Sequence, residues 1–359
     1  MDSSANLASA DASHELALVA LQSRAQPGEL EVIETHMSWV FLLKDLVLKL
    51  KKPVRQAFLD FTQLDYREAF CREEVRLNAR LAPRIYQGLM ALTLVDGRPL
   101  LVNEPLVHRS SDVVDWLVHM KRLPRARMLD EAMAHRTVLA GDVDALVRIL
   151  ADFYRTAVPA NISPMHHVDR MLQELRLSSR VLLDPRWVVP GAAQAIQQMK
   201  TGLALHQAAL GIRALSGRIV DGHGDLRPEH VCLLHPPVVI DCIEFSASLR
   251  QVDPFDELAF LALECRMAGA GWIGERVMSG CARALGDRPS HTVLQLYTAH
   301  RALVRARLSV AHLLDPQPRT PERWIPQARR YVMHAQMALD TLLLNDSVEP
   351  TVLTRSARE

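Results

Sequence analysis

The 359-residue sequence contains no run of about 18 consecutive apolar residues, the length that a helix needs to cross a bilayer. Its first thirty residues lack the cationic start and the unbroken apolar core of a secretory signal peptide. Charge of one sign is not in surplus either, because 42 basic residues balance 41 acidic ones and the net charge is +1. Binding to nucleic acid or to an anionic membrane normally shows as a basic patch. We therefore expect a cytoplasmic protein whose partners include neither a membrane nor a nucleic acid.

The cysteines are too few and too irregularly spaced for a disulfide framework. They are Cys71, Cys232, Cys242, Cys265 and Cys281. An odd number without paired spacing, in a long chain without a recognisable secretion signal, indicates reduced thiols. We expect all five to be small buried side chains.

Hydrophobic residues make up 49% of the chain, enough for a sizeable core divided over about two domains or lobes. Residues 31–102 alternate between apolar and polar side chains around turn residues, which predicts two hairpins. Residues 66–81, between these hairpins, have helical spacing. After Pro124 the pattern is helical almost throughout. The predicted fold class is therefore α+β, with a small antiparallel sheet lobe that contains one helix and a large, mostly helical lobe.

Two aspartates stand sixteen residues apart, each at the end of a hydrophobic run. Asp225 lies in the string His-Gly-Asp-Leu-Arg-Pro-Glu-His at residues 223–230, and Asp241 follows the short apolar run 238–240. An aspartate in a loop is also a common cap of a helix or turn, so Asp225 alone would decide nothing. Phosphoryl transfer from ATP needs such a pair, because one carboxylate orients the attacking hydroxyl and another holds the metal that bridges the phosphates. The pair predicts a kinase.

The strings at 223–230 and 240–245 resemble the aminoglycoside phosphotransferase and choline kinase family of protein-kinase-like folds. They are most similar to a bacterial branch of uncharacterised members, in which a P-loop ATP-binding domain often follows the kinase-like domain. The resemblance covers roughly residues 31–340 and is strongest over 221–265. The sequence has no Gly-x-x-x-x-Gly-Lys-Ser/Thr motif, so we expect a kinase-like nucleotide site and no P-loop site.

The resemblance implies a two-lobed protein-kinase-like fold. We expect residues 1–28 to form a tail or a short helix and residues 29–123 to form the nucleotide-binding sheet lobe. Residues 124–345 are expected to form the helical lobe with the catalytic and metal-binding loops, and residues 346–359 a C-terminal tail.

The resemblance also assigns roles to the two aspartates and their neighbours. Asp225 matches the catalytic aspartate, which would accept a hydrogen bond from the substrate hydroxyl, and His223 would brace its loop. Asp241 matches the aspartate of the Asp-Phe-Gly sequence, whose carboxylate would bind the metal. Glu244 is close enough to be a second acidic ligand or the partner of a cation. Asp256, at a helix start, would hydrogen-bond the catalytic loop or simply cap its own helix.

His230 stands five residues after Asp225, where protein kinases place an asparagine metal ligand. Imidazole binds Mg²⁺ poorly compared with an oxygen ligand. We therefore expect His230 to hold a softer ion such as Mn²⁺, to donate a hydrogen bond to phosphate, or to satisfy neighbouring backbone. A zinc site built from His223, His230, Cys232 and His235 is a weaker alternative, since the spacing fits no usual structural pattern.

The sheet lobe supplies the candidates for nucleotide binding. Residues 47–50 resemble the strand whose lysine holds the α- and β-phosphates, which selects Lys49, while Lys51 lies on the same face and competes for the role. The partner carboxylate should come from the following helix, where we select Glu74 over Glu73. A solvated basic strand edge is the plain alternative for the two lysines.

No glycine-rich loop precedes that strand. Residues 34–39 stand in its place, and hydroxyl and N–H groups there, those of Ser38 included, could cap a phosphate. Residues 115–124 resemble the inter-lobe hinge, so that the backbone of Met120 would contact adenine. A buried core side chain is the commoner meaning of such a methionine.

We expect an ATP-dependent phosphotransferase of the aminoglycoside phosphotransferase type, which uses Mg²⁺ or Mn²⁺ and acts on the hydroxyl of a small molecule. Glu264 and Asp253 hint at an acidic acceptor pocket, yet the same residues could serve stability. His230 and the missing glycines leave one alternative open, a non-catalytic nucleotide- or partner-binding protein on the same fold. The identity of the acceptor and the oligomeric state stay open.

Overall fold

The computed structural model describes residues 3–23, 26, 28–56, 59–104, 112–315 and 318–346. Beyond Asp346, the expected C-terminal tail lies outside these residues. The chain divides into two compact units, which we call the sheet unit and the helical unit. The sheet unit comprises Met1–Ala132, His223–Asp225 and Glu229–Arg250. The helical unit comprises Met133–Gly222, Leu226–Pro228 and Gln251–Glu359.

Strands predominate in the first third of the chain and helices in the remainder. The helices are α1 (Ser3–Gln22), α2 (Leu64–Asn78), α3 (Leu129–Ala134), α4 (Ala140–Thr156), α5 (Pro164–Leu182), α6 (Ala192–Leu215), α7 (Ala247–Arg250), α8 (Pro254–Met267), α9 (Gly271–Leu285), α10 (His291–Ala311) and α11 (Pro321–Asp346). The strands are β1 (Glu31–Glu34), β2 (Ser38–Leu42), β3 (Leu46–Lys51), β4 (Arg55–Gln56), β5 (Leu59–Asp60), β6 (Tyr86–Val95), β7 (Arg98–Asn103), β8 (Val113–Lys121), β9 (Val220–Asp221), β10 (Val231–Cys232), β11 (Val238–Val239) and β12 (Gln251–Val252).

An antiparallel sheet with the strand order β1-β2-β3-β8-β6-β7 frames the sheet unit. Both predicted hairpins are confirmed, since β2 pairs with β3 and β6 pairs with β7. Because side chains alternate along a strand, β3 directs Leu48 and Leu50 to one face and Val47 and Lys49 to the other. Leu48 and Leu50 pack in a cluster with α1, whereas Val47 packs in a cluster with α2. The sheet is thus covered on both faces, and Lys49 lies on the α2 face.

Helix α1 covers the face opposite to α2. Ala17, Ala20 and Leu21 are buried in one cluster with Leu48 and Leu50 of β3. The sequence indicated a tail or a short helix here, and the observed helix of 20 residues is longer. The physical reason is that the apolar face of β3 needs a cover, which the alanines and leucines of α1 supply.

The helical unit is built around α10, which packs against α5, α6, α8 and α11. Together with the sheet, this unit confirms the predicted α+β class and its helical C-terminal part. All five cysteines are buried and free, as expected. No helix in the described part of the chain is long and apolar enough to span a bilayer.

The division between the units differs from the expected contiguous boundary between residues 123 and 124. The sheet unit extends to Ala132 and takes back residues 223–225 and 229–250. Part of the reason is that the backbone of Met128 forms an isolated antiparallel β-bridge with Cys232, and that Val238 packs in the hydrophobic cluster that contains residues of α2. Asp225 and Asp241 thereby both belong to the unit that contains Lys49.

Helix α9 approaches α8 closely at Gly274. A Cβ atom built there would lie 2.6 Å from Ala262 Cα and 2.7 Å from Ala262 Cβ, so one helix would have to shift. We predict that Gly274→Ala lowers the free energy of unfolding by about 1–3 kcal/mol, the usual cost of overpacking. Chemical denaturation measures this change.

The matched control is Gly271→Ala, in the first turn of the same helix. A Cβ atom there would meet the Arg266 side chain at an ordinary 3.8 Å. We expect unchanged stability or a gain of up to about 1 kcal/mol, since alanine favours the helix over glycine. Equal denaturation midpoints for the two variants would contradict the close approach at Gly274.

Candidate active site

Lys49 contacts two carboxylates from distant parts of the sequence. Its Nζ lies 3.0 Å from Glu74 Oε1 and 2.7 Å from Asp241 Oδ1. Glu74 belongs to the buried face of α2, and Asp241 follows β11 by two residues. The structure therefore brings the selected lysine and glutamate together with the metal-binding candidate. Contact of any of these with a nucleotide stays a prediction.

The charges of this cluster stabilise one another. Burial by itself would lower the pKa of Lys49, but the carboxylates of Asp241 and Glu74 outweigh it and raise that pKa well above its usual value. Burial would likewise raise the pKa of Asp241, but Lys49 and then His230 hold that pKa far below its usual range. Lys49 and Asp241 are therefore a charged pair at neutral pH.

Lys51 lies on the same face of β3 and is more deeply buried, with only 1% of its side chain exposed. Its Nζ is 2.6 Å from Glu74 Oε2 and also contacts Glu244. Glu244 thus forms an ion pair, one of the two roles considered for it. Because Lys49 is the lysine that contacts Asp241, it stays the candidate for the phosphates.

Asp241 has a left-handed backbone conformation, with φ of 62°, which is costly for a residue with a Cβ atom. Two hydrogen bonds hold it there. The N–H of Asp241 donates to the Tyr86 hydroxyl at 3.2 Å, and the N–H of Cys242 donates to Asn78 Oδ1 at 2.9 Å. The side chain of Asp241 is 45% exposed, so this strained segment presents an accessible carboxylate beside Lys49. The sequence did not single out Asn78 or Tyr86, because a buried amide and a buried phenol leave no local pattern.

His223 braces the loop that carries Asp225. Its Nδ1 accepts the N–H of Asp225 at 3.3 Å, and its Nε2 lies 2.9 Å from the carbonyl oxygen of Ile240. A carbonyl oxygen can only accept, so the proton of the ring is on Nε2. Burial, and secondarily the neighbouring His230, lowers the pKa of His223 to about 4. The brace is therefore a neutral imidazole at pH 7.

His230 lies between the two aspartates. Its Nδ1 is 2.8 Å from the carbonyl oxygen of Asp225, so Nδ1 donates and Nε2 of a neutral ring carries the lone pair. Nε2 is 3.4 Å from Asp241 Oδ2, and Nδ1 is 3.7 Å from Asp225 Oδ2. The Asp225 side chain is 31% exposed. Both carboxylates therefore flank one imidazole and remain open to solvent.

The donor set of His230 and Asp241 fits one divalent ion that arrives with a nucleotide. In the neutral form, a His230 ring that donates from Nδ1 to the Asp225 carbonyl would turn the lone pair of Nε2 toward the carboxylate of Asp241, and a divalent cation could bind both groups. Mg²⁺ usually takes one or two protein ligands and completes its shell with water and phosphate, while Mn²⁺ accepts imidazole more readily. Among the described residues, no group of three or more His, Cys, Asp or Glu side chains could hold a metal alone. This leaves the zinc alternative without support.

Ser38 and Met120 are both buried. Ser38 is buried, its N–H donates to Thr35 Oγ1 at 2.9 Å, and its carbonyl accepts hydrogen bonds from Thr35. The side chain of Met120 packs in the cluster between the sheet and α2. Their contacts with a nucleotide stay predictions, and for Ser38 the turn closed by Thr35 would first have to open.

In the helical unit, Asp256 and its neighbour Glu257 have different partners. Asp256 forms a bidentate ion pair with Arg301 at 2.8 and 2.7 Å. Glu257 is fully buried, accepts a hydrogen bond from Tyr154 at 2.8 Å, and lies against Gly222, where a Cβ atom would be 2.7 Å from Oε2. The sequence missed Glu257 because two adjacent acidic residues cannot be told apart until the inward side of the helix is known.

The acidic pocket suggested by Asp253 and Glu264 has a structural explanation. Asp253 is fully buried and lies 2.6 Å from Arg213, and Glu264 lies 2.9 Å from Arg305. Both carboxylates are neutralised inside the helical unit, so they serve its stability.

The comparison with known sequences gives relatives without an assigned role. No family model matches the chain. It is 28% identical over 342 residues to uncharacterized proteins of Mycobacterium tuberculosis and Mycobacterium bovis. The match covers 92% of this chain and 65% of each relative, so the chain spans about two thirds of the length of these curated relatives.

Solved structures are more informative about the fold. A choline/ethanolamine kinase family protein from Mesorhizobium loti has a TM-score of 0.54 at 14% identity, over 93% of this chain and 96% of that one. A choline kinase from Cryptosporidium parvum Iowa II has a TM-score of 0.55 at 10% identity, over 94% and 98%. The chain has a protein-kinase-like fold. A thermostable mutant of an aminoglycoside phosphotransferase shares this kinase-like fold, with a TM-score of 0.50 at 11% identity over 88% and 94%. The predicted resemblance is thus confirmed at the level of the fold.

Because the buried imidazole of His223 is neutral in the folded protein, the free energy of unfolding should depend on pH. The folded pKa of His223 is about 4, below the usual value of about 6.5, so between these values the unfolded chain binds a proton that the folded chain excludes. This contribution to stability is present above about pH 6.5 and is lost as the pH falls toward 4.

We predict that His223→Gln flattens the fall in unfolding free energy between pH 6.5 and 4 by up to about 3 kcal/mol, about 1.4 kcal/mol per pH unit. Denaturant unfolding across this range measures the slope, which is independent of the variant's overall stability. Parallel stability curves for wild type and variant would contradict a neutral buried His223.

Proposed function

We propose that this chain is an ATP-dependent phosphotransferase that transfers a phosphoryl group to the hydroxyl of a small molecule. One observation carries the proposal, the meeting of Lys49 and His230 at the carboxylate of Asp241, at 2.7 and 3.4 Å. A lysine, an acidic metal ligand and a second donor are the groups that nucleotide phosphates and their metal require. The Asp241 side chain is 45% exposed, so that a ligand can reach its carboxylate.

Asp225 is the residue that would orient the acceptor hydroxyl. Its side chain is partly exposed, and its backbone is held on two sides, by His223 at the N–H and by His230 at the carbonyl oxygen. Such fixation matters because catalysis of phosphoryl transfer consists mainly of positioning and charge stabilisation. Asp225 would accept the hydroxyl hydrogen bond and direct the oxygen at the terminal phosphate.

Lys49, Asp241 and His230 would bind the nucleotide. Lys49 would exchange its contact with Asp241 for oxygens of the α- and β-phosphates and keep its contact with Glu74. Asp241 and His230 would hold Mg²⁺ or Mn²⁺, which neutralises the charge that develops on the phosphates. Met120 and Ser38 are proposed to line the nucleotide site through their backbone groups.

The acceptor is proposed by analogy with the proteins that share the fold, which include a choline kinase and an aminoglycoside phosphotransferase. Choline and aminoglycosides are both small molecules that carry a hydroxyl group. An aminoglycoside is not favoured over other acceptors, because Asp253 and Glu264 are paired within the helical unit. We place the activity in the cytoplasm, without a nucleic acid or membrane partner.

A second candidate function is nucleotide binding without turnover. It is favoured by the turn before β2, which has no glycine and in which the N–H of Ser38 is already bonded to Thr35. A closed turn of this kind offers fewer N–H groups to a terminal phosphate than a glycine-rich loop does.

Replacing Asp225 separates the two candidates. We predict that Asp225→Asn keeps nucleotide affinity, since the amide is isosteric and Lys49 and Asp241 are untouched, while ADP formation falls about 100- to 10,000-fold. Calorimetry with ATP and either Mg²⁺ or Mn²⁺ measures binding, and a coupled ADP assay over a panel of small hydroxyl compounds measures turnover.

The matched control is Asp184→Asn, which alters a carboxylate paired with Arg186 outside the site and should change neither quantity. Nucleotide binding without turnover in the wild type would favour the second candidate. Failure to bind nucleotide with either metal would contradict both.

A further inference from the structure

Lys51 lies in a position from which it cannot bind the phosphates of a nucleotide. Its Nζ contacts Glu74 at 2.6 Å and also contacts Glu244, and it lies 5.1 Å from the centre of the Phe61 ring. An ammonium group has three N–H donors, and Lys51 already directs its ammonium group toward two carboxylates and the face of one aromatic ring. Reaching a phosphate would take the cation away from the buried carboxylate of Glu244 and leave Glu74 with Lys49 alone, which is strongly unfavourable.

The carboxylates bound by Lys51 belong to two elements that the proposed reaction needs. Glu74 is the residue of α2 that also contacts Lys49. Glu244 lies three residues after Asp241, on the segment that must present the metal-binding carboxylate. Lys51 therefore connects β3, α2 and the Asp241 segment through a single buried charge.

Asn78 of α2 also connects this helix to the Asp241 segment, and Arg250 holds the segment further along. Asn78 Nδ2 donates to the carbonyl oxygen of Glu74 at 2.8 Å, and Asn78 Oδ1 accepts the N–H of Cys242 at 2.9 Å. Arg250 donates to the carbonyl oxygen of Ile243 at 2.8 Å. The segment that follows Asp241 is thus held along its length, and its attachment to α2 involves the turn of helix that carries Glu74.

We propose that Lys51 and Glu244 are positioning residues that hold α2 and the Asp241 segment in one fixed arrangement, so that Lys49 is the lysine that moves between carboxylate and phosphate. This inference rests on the proposed function and deepens it, because it divides two adjacent lysines into a fixed one and an exchanging one. The difference in surroundings supports the division, since Lys49 contacts the half-exposed Asp241 and Lys51 only buried groups.

The test compares a double variant, in which Lys51 and Glu244 are both replaced by uncharged residues, with a variant that lacks the Lys49 ammonium group. The double variant Lys51→Met/Glu244→Gln removes one positive and one negative charge and leaves no new unpaired charge between them. We expect its nucleotide Kd to stay within about threefold of wild type while kcat falls about tenfold or more, because the Asp241 carboxylate is less well fixed. Lys49→Met should instead weaken nucleotide binding about tenfold or more, as expected for a lost charged hydrogen bond.

A readout that needs no turnover accompanies the kinetics. The Cys242 amide is hydrogen-bonded to Asn78, so its hydrogen exchange reports how firmly the segment is held to α2. We expect exchange about tenfold faster in the double variant. The matched control is Glu68→Gln, which removes an exposed carboxylate of α2 paired with Arg72 and should leave exchange and kinetics unchanged.

Each outcome decides the proposal. If the double variant loses nucleotide affinity as Lys49→Met does, Lys51 is itself a nucleotide ligand and the proposal is overturned. Wild-type exchange at Cys242 would overturn it as well. If wild-type protein shows no turnover, the proposed function fails separately, and exchange at Cys242 still decides whether the pair fixes the segment. Should the double variant not fold, Glu244→Gln alone is measured against the same two outcomes.

Discussion

The contact between the Lys49 ammonium and the Asp241 carboxylate, 2.7 Å long, is the interaction on which the proposed activity of this protein depends. It joins the central part of the sheet to a loop 192 residues away in sequence. Both groups stay charged, because each outweighs the effect of burial on the pKa of the other. A charge pair that is open to solvent on the Asp241 side can exchange one partner for a phosphate or a metal, which a fully buried pair cannot do.

The surrounding structure serves to fix this pair. Helix α1 covers one face of the sheet, so that α2 and Glu74 occupy the other face next to Lys49. Tyr86 and Asn78 hold the left-handed turn of Asp241, and His223 keeps the neighbouring Asp225 loop in place as a neutral imidazole. The cost of strained backbone at Asp241 is met by hydrogen bonds from elements that are themselves packed in the core.

Local patterns predicted the parts of this structure that depend on local physics. Alternation along the strands predicted the hairpins, and it also placed Lys49 and Lys51 on one face. The functions of the two lysines could not be separated in this way, because their difference lies in Glu244 and Asp241, which are contacts of long sequence separation. The same holds for α1, whose docking depends on the apolar face of a distant strand, and for Asn78, whose partner is the backbone of Cys242. The assignment of residues 223–225 and 229–250 to the sheet unit likewise depends on contacts of long sequence separation, which local patterns do not reveal.

The most direct test of the proposed site asks whether His230 and Asp241 hold one metal together with a nucleotide. Electron spin echo spectroscopy of the protein with Mn²⁺ and ADP detects a nitrogen ligand of the ion through its magnetic coupling. We predict an imidazole nitrogen coupling in the wild type that disappears in His230→Asn, while Mn²⁺ binding persists through Asp241. Bound Mn²⁺ without this coupling in the wild type, or with the same coupling in the variant, would contradict a metal shared by His230 and Asp241.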